Sequence, residues 1–154
     1  MQSAVTHEAS CTCNTVSMKI TGPVLFRACC HCTSCQAYCG DAYSDVSVFR
    51  ATDVELADET RVEFKGYQKP ALAKRGKCTA CLVPVIENIA MPVLPDLRVV
   101  PTELLPASLK QDIEFHIFYH RRLQDATDDL PKYSGFVSSQ LAFMKALIRS
   151  LRKT

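Results

Sequence analysis

The chain has no tryptophan, no stretch near 18 consecutive apolar residues, no internal repeat and no low-complexity segment. Without a long apolar run there is no ordinary transmembrane helix. A net charge of +2 over 154 residues is too weak to nominate nucleic acid as a partner. Met1 to Ser10 has neither a basic n-region nor an apolar h-region, so no secretory signal is read and a cytoplasmic protein is expected. With 47% hydrophobic and 22% charged residues the composition is globular, and the length suits one domain. Charge is uneven. Lys145, Arg149, Arg152 and Lys153 make residues 141–154 +4, which leaves the rest at −2.

What the sequence does have is cysteine. There are nine, an odd number, and without a signal peptide this argues against a disulfide framework. They fall in three groups: Cys11-Thr12-Cys13; Cys29-Cys30-His31-Cys32-Thr33-Ser34-Cys35 with Cys39 beyond; and Cys78-Thr79-Ala80-Cys81. A C-x-C or C-x-x-C turn holds two thiolates on one side, and two such pairs complete a closed tetrahedral zinc site. Scattered core cysteines are the plainer reading, but three tight clusters do not suit it. A metal-free redox pair would sit after a strand in a βαβ pattern, and none is visible.

The remaining pattern reads as a β body with a helical end. Val16, Met18 and Ile20 alternate in a half-buried strand, and Val24-Leu25-Phe26 opens another after Gly22-Pro23. Thr33 to Gln36 fits a capping box, which predicts a short helix stopped by Gly40. Val46 with Val48, and Val62 with Phe64, mark further strands. Residues 65–77 carry five bases and no acid, with Pro70 inside, and read as an exposed loop. Ile113, Phe115, Ile117 and Tyr119 alternate against His116 and Phe118, and Asp128 to Pro131 reads as a turn. From Ser138 the period turns helical, with Leu141, Met144, Leu147, Ile148 and Leu151 in one stripe. Such a stripe has to dock, either on its own body or on a second copy to form a homodimer. The expected division is a flexible tail over 1–10, a zinc domain over 11–136 and an amphipathic helix over 137–154.

Cys11-Thr-Cys13, Cys30-His-Cys32-Thr-Ser-Cys35-Gln36, Cys78-Thr-Ala-Cys81, Phe115-His116-Ile117 and Leu130-Pro131-Lys132-Tyr133 together resemble the glutathione-dependent formaldehyde-activating enzyme family, which includes centromere protein V. The resemblance covers roughly residues 8–136. It implies a mainly β, zinc-stabilised fold of the β-tent type with short helices. It also implies two zinc ions: a structural site of Cys11, Cys13, Cys78 and Cys81, and an open, catalytic site of Cys30, Cys32 and Cys35. Asn14 and Leu82 stand where the family commonly has the glycine closing each knuckle. Asn tolerates positive φ, whereas Leu does so at a cost.

A four-thiolate zinc is full and can only hold strands together; a three-thiolate zinc keeps a position for a substrate oxygen or thiol. His31 and His116 are candidate proton carriers, each against the plainer reading of a spacer and of a strand residue. Gln36 and Tyr133 are candidate substrate contacts, against capping and packing. Cys29 and Cys39 lie outside the skeleton. The expected function is a zinc-dependent, lyase-type enzyme acting on a small carbonyl or thiol adduct, with glutathione and formaldehyde as the family pair. A tailoring step on another small molecule is a variant of it. The alternative is a non-enzymatic zinc module binding protein or nucleic acid. No membrane partner is expected.

Overall fold

A computed structural model describes residues 4–67 and 72–153. Its strands are β1 (His7–Ser10), β2 (Ser17–Ile20), β3 (Phe26–Cys30), β4 (Ser44–Arg50), β5 (Val54–Leu56), β6 (Val62–Gly66), β7 (Ala73–Cys78), β8 (Pro84–Ile89), β9 (Leu97–Pro101) and β10 (Phe115–Ile117). Helix α1 spans Thr33–Cys39 and α2 spans Phe136–Lys153. The chain is therefore mainly β with a C-terminal helix, as expected. Strands β1-β2-β5 form a small sheet. A larger sheet runs in the order β10-β3-β4-β9-β8-β7-β6, antiparallel except where β10 joins β3 in parallel.

Two cores follow from side-chain alternation. Met18 and Ile20 of β2 pack with Val54, Phe49, Val85 and Val100 between the two sheets. Phe26, Ala28, Val46, Val48, Val99, Phe115 and Ile117 face the other way and pack under α2. One face of β3 thus presents Phe26, Ala28 and Cys30 to the helix, while Arg27, Cys29 and His31 point to the opposite face.

Several expectations change. Residues 7–10, assigned to a flexible tail, form β1, which pairs with β2 from His7↔Ile20 to Ser10↔Ser17; Met1 to Ser3 lie outside the described residues. The basic run over 65–77 is not simply a loop. Residues 73–78 are strand β7 inside the large sheet, and Arg75 is buried there. Lys69 and Pro70 lie outside the described residues. The helix over 33–39 is N-capped by Cys32 rather than Thr33, and it ends at Gly40 in the left-handed region (φ 66°). Strand β10 stops at Ile117, and Phe118 turns at φ 54°, so Phe118 does not continue the His116 face.

Helix α2 docks on its own body. Leu147 is fully buried, Ala146 is nearly so, and Phe143 meets Phe26 edge-on at 5.1 Å. Ser150 Oγ donates to Leu25 O at 2.6 Å, and Arg149 pairs with Glu114. The buried face is rotated from the expected stripe, because Leu141 is 65% exposed. Leu147→Asp places a charge in this contact. It is expected to cost more than the about 2–5 kcal/mol of a core Leu truncation, whereas Leu141→Asp stays within about 0.5 kcal/mol of the parent. Thermal melts check this: the Leu147→Asp loss should be the same at low and high protein concentration. A melting temperature that rises with concentration would instead place the face between copies.

Candidate functional site

Each outer cysteine pair sits at a hairpin turn, Cys11 and Cys13 between β1 and β2, Cys78 and Cys81 between β7 and β8. The small sheet thus brings one knuckle and the large sheet the other. Their four sulfurs lie within 4.8 Å of one another, with Cys11 to Cys13 at 3.5 Å and Cys13 to Cys78 at 3.7 Å. Four ligands at about 2.3 Å from a tetrahedral zinc are spaced about 3.8 Å apart, so the set fits such an ion. Backbone N–H groups already aim at the sulfurs: Val16 donates to Cys11 Sγ at 3.3 Å, and Ala80 and Cys81 to Cys78 Sγ at 3.4 and 3.5 Å. Thr15 beside it lowers the Cys13 thiol to about 6, and the Val83 backbone lowers that of Cys81. Both knuckles close alike, Asn14 N–H donating to Cys11 O and Leu82 N–H to Cys78 O, each residue at φ 61°. For Leu82 that conformation costs about 1–2 kcal/mol, held in place by the rest of the turn.

The second set stands at the junction of β3 and α1. Cys30 ends β3, Cys32 caps α1 and Cys35 lies in its first turn, all buried and with sulfurs within 4.8 Å. The thiols of Cys30 and Cys35, with the Cys35 N–H at 3.2 Å, favour the Cys32 thiolate. Cys30 and Cys35 are pushed well up, chiefly by the neighbouring sulfurs. Three sulfurs this close do not ionise together without added positive charge, which is what a divalent cation supplies. Arg75 adds a fixed charge, with Nη2 3.7 Å from Cys35 Sγ. Glu87 lies 3.3 Å from Arg75 Nε, and burial pushes its carboxyl up to about 7. Tyr38 Oη closes this corner by donating to Gly76 O and Ile86 O.

His31 and His116 come together, on the face of β3 opposite Cys30. His31 is 2% exposed and His116 3%. His31 Nε2 lies 2.9 Å from His116 Nδ1, and His116 Nε2 lies 2.8 Å from Asp128 Oδ2. Segment 131–133 runs beside β10, with His116 N–H bonded to Pro131 O and Tyr133 N–H to His116 O, and this brings Asp128 back to the histidine. His116 and Lys132 Nζ, the latter at 3.0 Å, hold the Asp128 carboxyl near 2. Burial and His116 push His31 down to about 4. The rings of Tyr43 and Tyr119 lie 5.1 and 5.2 Å from His31. A cleft of about 450 Å³, lined by Arg27, Tyr43 and Asp45 among others, opens beside Tyr43.

The other candidates are occupied elsewhere. Gln36 Nε2 donates to His31 O and Arg121 O, both at 2.9 Å, and so ties α1 to the turn after β10. Tyr133 packs edge-on against Phe115 and joins β10 through its backbone. Cys29 is buried, its thiol pushed up to about 12 by burial and Asp45; Cys39 is raised by burial. Neither belongs to a sulfur cluster. Arg75, Asp128, Tyr43 and Tyr119 carry no local sequence signature. The nearest hint is Asp128, four residues before Lys132 in the turn that precedes Tyr133.

Among the described residues no helix is long and apolar enough to cross a membrane. No curated protein matches the chain. A crystal structure of a Rhodobacter sphaeroides protein is similar in fold over 82% of this chain and 99% of that one, with a TM-score of 0.54 and 14% identity. The sequence model described as glutathione-dependent formaldehyde-activating enzyme matches residues 6–121, a span that holds both sulfur clusters and both buried histidines. On that match the chain belongs to the glutathione-dependent formaldehyde-activating enzyme family.

Proposed function

We propose that the chain is a metal-dependent, lyase-type enzyme that joins a small thiol, glutathione in the first instance, to formaldehyde or a similar small carbonyl, and runs the reverse step. The observation that carries this reading is the difference between the two sulfur clusters of a family member, four sulfurs around one centre and three around the other. Cys11, Cys13, Cys78 and Cys81 would hold a structural zinc, and Cys30, Cys32 and Cys35 a second. A zinc with three thiolate ligands offers a fourth position and favours the thiolate form of a thiol placed there.

The residues divide the remaining work. Cys30, Cys32 and Cys35 come from one short segment, so their spacing is set by the β3–α1 corner rather than by distant loops. Arg75 offsets the negative charge that three thiolates and an incoming thiolate bring together. Carbon–sulfur bond formation sends the carbonyl electron pair to oxygen and transfers the thiol proton to that oxygen. His31, next in the chain to Cys30 and Cys32 and backed by His116 at 2.9 Å, is the proposed carrier of that proton.

The experiment is exchange spectroscopy on isotope-labelled formaldehyde with glutathione. Metal-loaded protein is expected to raise the exchange between free aldehyde and S-hydroxymethyl adduct above the spontaneous rate. An unchanged rate overturns the reading.

A further inference from the structure

We infer that Asp128 is a positioning residue: acting through His116, it fixes His31 as a hydrogen-bond acceptor at Nδ1, and that buried nitrogen takes the hydroxyl or thiol donor of the small ligand. The inference rests on the proposed thiol–carbonyl function for the identity of the ligand, but not for the direction of the chain.

The direction follows from what each atom is able to do. An ionised carboxylate only accepts hydrogen bonds. Asp128 Oδ1 accepts from Leu130 N–H at 3.1 Å and from Lys132 Nζ at 3.0 Å, which leaves Oδ2 for His116 Nε2 at 2.8 Å. His116 Nε2 therefore donates. With one proton on the His116 ring, its Nδ1 is the acceptor, and the His31 Nε2 facing it at 2.9 Å supplies the proton of that contact. His31 Nδ1 is left with a bare lone pair.

That atom is buried and has no hydrogen-bond partner among the described residues. A buried acceptor left unmade costs free energy, which a donor from a ligand recovers. The rings of Tyr119, whose Oη accepts from Ala126 N–H, and of Tyr43, which is 38% exposed and borders the cleft with Arg27 and Asp45, pack against the His31 ring. A hydroxymethyl thioether carries a hydroxyl and a thiol carries S–H, so each offers one donor of the required kind.

A brace between β10 and the 128–132 turn would use the same contacts, so the test needs a readout that bracing does not move. Long-range proton–nitrogen NMR of full-length, metal-loaded protein with labelled histidine reads which ring nitrogen bears the proton. His31 and His116 are both expected as Nε2–H tautomers. Asp128→Ala should release His116 from the single tautomer. It should also lower kcat for the thiol–formaldehyde reaction roughly 10–100-fold, with KM and metal content little changed. Asp128→Asn retains an acceptor oxygen and should recover part of both effects, and it serves as the reporter if the alanine variant does not fold. Adding glutathione and formaldehyde should shift the His31 Nδ1 signal. A proton on His31 Nδ1 in the unmodified protein, ring signals indifferent to Asp128, or an unchanged kcat overturns the inference. If the unmodified protein shows no exchange activity, the proposed function fails, while the tautomers still decide the direction of the chain.

Discussion

Cys78→Ser is expected to leave no folded protein. Cys78 is fully buried at the end of β7, where its sulfur accepts two backbone N–H groups and lies 3.7 Å from Cys13. The cluster joins the hairpin of the small sheet to a hairpin of the large one across 65 residues of sequence. In small zinc domains the metal contributes about 10–16 kcal/mol to folding, against a total stability of roughly 5–15 kcal/mol for an ordinary domain. On the proposed structural zinc, losing one of four thiolates removes a contribution as large as the whole margin. A serine hydroxyl is no substitute, because zinc sites of this kind use ionised sulfur. Far-UV circular dichroism and thermal melting of the purified variant are the measurements. Cys39→Ser, outside both clusters, should fold like the parent. A soluble Cys78→Ser protein with the parent melting temperature contradicts the structural role.

The cysteine groups were legible because each is local in sequence, two pairs at hairpin turns and three residues at the β3–α1 corner, in sets that could hold a metal. The same local logic exposed β2, β4, β6 and both helices. What stayed hidden depends on long-range pairing. Arg75 looks like one more base in a solvated run until β6 and β8 close around β7 and set Glu87 opposite it. Asp128 is 12 residues from His116, and only the parallel return of segment 131–133 brings them together. His7 to Ser10 gives a weak strand signal alone and becomes β1 by pairing with β2. The rotation of α2 follows from what Phe26, Phe115 and Ile117 offer beneath it, so helical period alone did not show that Leu141 would face solvent while Leu147 is enclosed.

Cys35→Ser is expected to fold and to lose activity. The three sulfurs belong to a six-residue stretch already fixed by β3, by the Cys32 cap and by Gly40 at the end of α1. A metal there closes only a short loop, so little chain entropy depends on it. The fold should survive with a lower melting temperature, and metal content should fall by one equivalent. A metal centre at the reacting atoms is worth several kcal/mol of transition-state stabilisation, so kcat/KM should drop on the order of 100- to 10,000-fold. Mild chelation of the unmodified protein should act in the same order, removing activity before secondary structure. Joint loss of both metals with the fold, or full activity in Cys35→Ser, contradicts the division into a closed and an open centre.

Exchange spectroscopy on labelled formaldehyde with glutathione tests the central claim most directly, with the metal-loaded protein, the mildly chelated protein and Cys35→Ser side by side. The expected result is accelerated exchange by the loaded protein, the spontaneous rate with Cys35→Ser or after mild chelation, and recovery when metal is returned to the chelated protein. Exchange at the spontaneous rate with protein carrying both metals contradicts the account.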